Sequence, residues 1–320
     1  MKKPVFIFII LTLYIFGSCS GQIESIPEPD IGVNTDSDET KTEAGEIYIF
    51  SPALLNCNFY DEYDFNLYVS GAESYDIDGE VLCGIVPHHL LAGSMIAGFF
   101  ESAAKNRPEI ETVVLLAPIH EPREDRLCTT LSNWSAPTGV LENETAFSHL
   151  FVEELNAVVS DNTAEQDHSV SSLIPFVKHY FPEAKTACLL IAPDTYKSAA
   201  LSEKISELLV QLAQSKNCLF IFSVDFSHYL EPDQTYERDS ETLKAVTEGD
   251  IESIFLMNND NTDSPLCVSI FILLTEKLNG KIHELDHSNS MEILNYPYPH
   301  PVYNEGLTSY FIFAGIRTCF

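Results

Sequence analysis

Histidines follow apolar runs at three places in this chain. Gly84-Ile85-Val86 leads into Pro87-His88-His89, and Leu115-Leu116-Ala117 leads into Pro118-Ile119-His120. Phe222-Ser223-Val224 leads into Asp225-Phe226-Ser227-His228-Tyr229, where an acid precedes the imidazole by three residues. A fourth segment, Gln166-Asp167-His168-Ser169, opens a helical stretch with Asp167 as its cap. One histidine alone is most often a surface or core hydrogen-bonding residue. Three at the ends of apolar runs are different if those runs are neighbouring strands, because the sheet then gathers them. Neutral imidazole binds zinc, copper, iron and nickel, so the expected chemistry is a shared transition-metal site.

Cys267, in Ser264-Pro265-Leu266-Cys267-Val268, is a candidate third ligand. It stands where a loop enters an apolar helix, and a thiol near a helix N-terminus has a lowered pKa that favours the metal-binding thiolate. On the residues alone, a small buried cysteine remains the alternative. His283 and His287 lie four apart in an extended segment, where alternation would put both on one face as a second candidate pair. His149 and His179 fall inside helical stretches and read as surface residues.

These residues need a scaffold. Strand-like apolar runs cover residues 81–86, 112–117, 186–192 and 219–224, and a late strand is expected over 307–317. Helical stretches lie between them at residues 91–104, 145–158, 169–180, 198–214 and 235–247. Strands alternating with helices predict an α/β fold with a mostly parallel central sheet and helices on both faces. In such a fold the chemistry collects beyond the carboxyl ends of the strands, which is where the histidines stand. Residues 131–143, with Pro137 and Gly139, read as a hairpin or long loop.

The chain has 320 residues, of which 45% are hydrophobic and 20% charged, enough apolar material for one large core. Seventeen Lys and Arg stand against 48 Asp and Glu, a formal net charge of −31. Phosphate backbones require basic surface, so a nucleic-acid partner is excluded on charge. An anionic membrane surface would also repel the domain, and any membrane attachment should be covalent.

The N-terminus supplies such an attachment. Met1-Lys2-Lys3 is followed by an apolar run from Val5 to Phe16, too short to span a bilayer but suited to a signal peptide. Gly17-Ser18-Cys19 then resembles a bacterial lipobox, with Phe16 standing where that motif usually has Leu. Residues 1–19 are therefore expected to be a lipoprotein signal peptide, residues 20–46 an acidic flexible tether, and residues 47–320 the domain. The expected location is the cell envelope, with membrane contact only through lipid on Cys19. Eight cysteines in an exported chain invite disulfides, but no close-spaced pair occurs and their pairing stays open. Cys188 and Cys218 sit in apolar runs and read as buried strand residues.

The motifs from Gly84 to Gly315 resemble, in order, those of Memo-like proteins, also called AmmeMemoRadiSam system protein B. Pro87-His88, Ala117-Pro118-Ile119-His120 and Ser135-Ala136-Pro137-Thr138-Gly139 are similar to family segments. So is His168-Ser169-Val170 with Pro175-Phe176, and Ser223-Val224-Asp225-Phe226-Ser227-His228-Tyr229 is the most specific match. The resemblance implies a fold like that of LigB-type class III extradiol dioxygenases, with a cysteine replacing one carboxylate of their iron site. It implies copper or iron held by His88, His120 and Cys267, with Asp225, His228 and His168 lining the same pocket as candidate catalytic residues. His89-Leu90-Leu91, Ser171 and Val268 depart from the family pattern, so substrate-facing chemistry is the least transferable part. Two other functions follow from the same residues: a peptide or small-ligand binding module without metal, and a ring-cleaving enzyme. The sequence assigns neither the ligand nor any protein partner.

Overall fold

A computed structural model describes residues 53–121, 126–195, 197–295 and 306–318. The segments expected to be signal peptide, lipobox and tether lie outside these residues. The strands are β1 (Leu54–Asn56), β2 (Glu80–Val86), β3 (Thr112–Pro118), β4 (Leu127–Thr129), β5 (Asn133–Ala136), β6 (Gly139–Leu141), β7 (Val158–Val159), β8 (Lys185–Ile191), β9 (Cys218–Ser223), β10 (Lys281–Asn289) and β11 (Ser309–Arg317). The helices are α1 (Glu62–Ser70), α2 (Gly93–Asn106), α3 (Thr145–Leu155), α4 (Asp161–Gln166), α5 (His168–Ser171), α6 (Ile174–Tyr180), α7 (Ala199–Ser215), α8 (Pro232–Glu248), α9 (Ile251–Leu256), α10 (Pro265–Lys277) and α11 (Ser290–Leu294).

Eight strands form the main sheet in the order β10-β11-β2-β9-β3-β8-β4-β7. Its centre, β2-β9-β3-β8, is parallel throughout. The composition explains this: β3 reads Thr-Val-Val-Leu-Leu-Ala-Pro and is buried along its length, as a strand covered on both faces must be. Along β3, Val113, Leu115 and Ala117 pack into one apolar cluster and Val114 and Leu116 into the other. Helices α2 and α6 cover the first face, and α7 and α10 the second. One margin is antiparallel, with β11 pairing β2 and β10 pairing β11, while at the other β4 pairs β8 antiparallel and β7 parallel. Gly84 lets helix α2 approach the sheet, since a Cβ there would lie 2.2 Å from the Phe99 ring.

The predicted helix over 169–180 is two helices, α5 and α6, separated at Ser172-Leu173. The predicted helix over 145–158 stops at Leu155, because Asn156 adopts a left-handed conformation (φ 57°), and Val158–Val159 joins the sheet edge. Residues 133–141 form the expected hairpin, with β5 also pairing β1 in a separate three-stranded sheet. Cys57, Cys83, Cys188, Cys218 and Cys267 are free thiols, Cys188 and Cys218 being buried strand residues as expected. No helix among the described residues is long and apolar enough to cross a membrane.

Candidate metal centre

Strand order brings the imidazoles together. β9 lies between β2 and β3, so the chain leaving β2 at Pro87 and the chain leaving β3 at Pro118 emerge about 10 Å apart, two strand spacings. From those ends His88 and His120 turn toward each other, with ring centroids 5.0 Å apart. His168, the first residue of α5, completes the group, its ring 5.0 Å from His88 and 4.0 Å from His120. Each of the three offers one nitrogen within 4.8 Å of the other two, and among the described residues this is the group that could hold a metal ion. His88 is buried, while His120 and His168 open toward a cavity of about 470 Å³.

The neighbours fix which nitrogens are free. Ser223 donates its single hydroxyl hydrogen to the carbonyl of Ser169 (2.6 Å), so its oxygen must accept from Nδ1–H of His88 (3.0 Å). The lone pair of His88 therefore sits on Nε2. Asp167 does the same for His120: Oδ1 accepts from the imidazole Nδ1–H (2.9 Å) and Oδ2 from the backbone N–H (2.8 Å). Burial alone would raise the pKa of Asp167, but these donors and the Ser169 N–H prevail and hold it below the usual carboxylate range. An ionised Asp167 can only accept, which places a proton on Nδ1 of His120 and makes Nε2 the nitrogen that can bind a metal. A carboxylate behind a histidine is a common support for a metal-binding imidazole. Asp167 also caps α5, through Ser169 N–H at 3.0 Å, as expected.

Burial keeps the imidazoles of His88 and His168 neutral. Desolvation, helped by the neighbouring histidines, lowers His88 to about 3, and burial with repulsion from His120 lowers His168 to about 4. Neutral imidazole is the metal-binding form.

Two carboxylates converge on the same place. Nε2 of His88 lies 3.5 Å from Oδ2 of Asp225 and 3.3 Å from Oδ2 of Asp263. Asp225 Oδ1 accepts the His88 N–H (3.1 Å), while the Asp225 N–H donates to Asp263 Oδ2 (3.2 Å) and the Asp263 N–H returns to the Asp225 carbonyl (3.1 Å). Burial opposes ionisation of Asp225, but His88, His228 and His89 outweigh it and hold its pKa below the usual value. Burial and the adjacent Asp225 charge instead push Asp263 well above it. Asp263 Oδ1 and His228 Nδ1 are buried and make no hydrogen bond. His228 lines the cavity, and burial lowers its pKa.

Of the residues singled out from sequence, His88, His120, His168, Asp225 and His228 meet at this cavity. Cys267 does not. It lies on the third residue of α10, turned into the apolar cluster beneath the sheet and fully buried. The Ser264 hydroxyl caps the helix above it. The expected lowering of its pKa is reversed: burial pushes the thiol up to about 12, which the Ser264 contact only partly opposes. The carboxylate nearest Nε2 of His88 belongs to Asp263, four residues earlier, which the sequence reading passed over. Its signal was an acid just before the Ser264-Pro265 helix start. His283 and His287 are not a metal pair either: a bulge between Glu284 and Asp286 breaks their alternation, and His287 bonds to Asp239 (2.9 Å).

Comparison with known proteins agrees with the motif order. A family model described as Memo-like protein matches residues 40–296. The chain belongs to the Memo-like family. A MEMO1 family protein of Thermoplasma volcanium is 26% identical over 218 residues, covering 66% of this chain and 79% of that relative. Another, from Sulfurisphaera tokodaii, is 26% identical over 220 residues, covering 64% and 75%. An uncharacterized Escherichia coli K12 protein of known crystal structure shares the fold at a TM-score of 0.50 and 14% identity, covering 74% of this chain and all of its own. The most specific Memo-like motif, Ser223 to Tyr229, carries three cavity residues, Asp225, His228 and Tyr229.

Proposed function

We propose that this Memo-like protein binds a redox-active transition metal, copper or iron, at His88, His120 and His168. One observation carries the reading: the Nδ1 positions of His88 and His120 are committed to Ser223 and Asp167, which leaves Nε2 of each as the ligand atom, and His88, His120 and His168 each offer one nitrogen within 4.8 Å of the other two. Asp263, whose Oδ2 lies 3.3 Å from Nε2 of His88 and whose buried Oδ1 has no partner, also fits a cation, since a buried acceptor without a donor is costly. Such an ion would supply one-electron and dioxygen chemistry. The chain's own contribution is to hold the imidazoles in one tautomer, to keep His228 Nδ1 free as a proton donor or acceptor, and to admit a small ligand to the cavity. Asp225 orients the site through the His88 backbone N–H, and its charge favours a proton on His228.

Metal content of the protein, purified anaerobically without a histidine tag, tests this. Near-stoichiometric copper or iron, lost in His88→Ala and His120→Ala, is expected. No metal in wild type, with none gained on titration, would leave the cavity as a peptide or small-ligand site on the same fold.

We further propose that the protein is exported and anchored to the cell envelope by lipid on Cys19, on the strength of the basic start, the apolar run and the lipobox. A Cys19→Ser chain should move from the membrane to the soluble fraction. Retention in the membrane would refute the lipid anchor.

A further inference from the structure

Asp263 is the side chain that neither the motif order nor the three-imidazole group absorbs, and its surroundings are unusual. Nε2 of His88 presents a lone pair, and two carboxylate oxygens stand 3.3 Å and 3.5 Å from it. Three acceptors facing one another need a proton or a cation between them. Two ligands bound at about 2.1 Å to one ion, at a right angle, are about 3 Å apart, close to the Nε2 to Asp263 separation.

The two carboxylates are not equivalent. Asp225 Oδ1 is engaged by the His88 N–H. Asp263 Oδ1 has no partner although it is buried. Asp263 is also held in place from both sides, by the Asp225 N–H on its Oδ2 and by its own N–H on the Asp225 carbonyl. The Phe226 to Thr262 bridge fixes the loop that carries it beside the Asp225 segment. Cys267 is on the next turn of chain, inside the helix, and its side chain is part of the apolar cluster.

We propose that Asp263 is the anionic ligand of this site, in the role the family resemblance gives to a cysteine. The donor set is then imidazole and carboxylate without thiolate. Such a set suits a borderline divalent ion such as iron(II), and lacks the soft sulfur that favours copper(I). This assignment rests on the metal reading above and weighs within it against copper(I).

Cobalt(II) is a suitable probe, because thiolate ligation produces an intense near-ultraviolet charge-transfer band and carboxylate ligation does not. The full chain would be titrated with cobalt(II) alone, as wild type, Asp263→Asn, Asp263→Cys, Cys267→Ser and His120→Ala, each checked for folding by circular dichroism. Wild type should show ligand-field bands without the charge-transfer band, and Cys267→Ser should be indistinguishable from it. Asp263→Asn, which keeps an acceptor for the Asp225 N–H, should bind more than roughly 10-fold more weakly. Asp263→Cys should acquire the charge-transfer band, a gain of signal that a merely structural aspartate would not give. A band in wild type that Cys267→Ser removes would overturn the assignment. So would Asp263→Asn binding as tightly as wild type while His120→Ala does not bind. Absence of cobalt binding in every protein, wild type included, would instead sink the metal reading and this assignment with it.

Discussion

At the scale of single residues, Asp167 does three things with one carboxylate. It caps α5, holds the His120 backbone, and fixes the His120 ring through Nδ1. Placing His168 directly after this cap makes the position of two imidazoles depend on one side chain. Asparagine caps helices as well as aspartate does, but both Asp167 oxygens accept hydrogen bonds and an NH2 would face one of those donors, so Asp167→Asn should cost about 1–3 kcal/mol of stability. It cannot supply a negative charge behind His120, and loss of such a supporting carboxylate typically costs 10–100-fold in metal affinity, roughly the effect expected here. Competition against a chromogenic chelator would measure it. Unchanged affinity would reduce Asp167 to a helix cap.

At the scale of elements, the legible part of the protein was the sheet. Continuous apolar runs such as Val113 to Ala117 can only be strands or buried helices, and their length and the turn residues after them decide for strands. A polar residue directly after such a run must stand at the sheet's carboxyl edge, so His88, His120 and His228 could be placed without coordinates. Strand order could not. The sequence of runs leaves open that β9 inserts between β2 and β3, and that insertion sets the spacing of the imidazoles. The phase of α10 was equally hidden. Whether Cys267 or Asp263 faces the site depends on where the helix starts, and Ser264 as cap with Pro265 first turns Cys267 toward the core. An acid four residues upstream carries no periodic signal, because it lies in a loop. The same limit applies to His283 and His287, where a single bulge overrides an alternation that was otherwise correctly read.

At the scale of the whole molecule, the histidines make stability a function of pH in two opposing directions. His88 and His168 have their pKa lowered from 6.5 to about 3 and about 4 by burial, and that of His228 is lowered too. Below about 6.5 the unfolded chain takes up protons at these positions that the folded chain refuses, so stability falls as the pH drops. His287 runs the other way. Burial would lower its pKa, but the hydrogen bond and charge of Asp239 raise it above 6.5. Its contribution is complete below the ordinary histidine value and is lost as the pH rises through the raised one. Asp239 accepts as well from Ser227 and Ser309, so this pair ties α8 to β10, β11 and the Asp225 loop. With a chelator present to remove metal, the free energy of urea unfolding should therefore peak near pH 6.5 and decline on both sides. His287→Gln should flatten the alkaline limb and leave the acid limb intact. An acid limb absent from wild type would mean that His88 and His168 titrate in the folded protein as they do in water, and that the cluster is open enough to be protonated before any metal arrives.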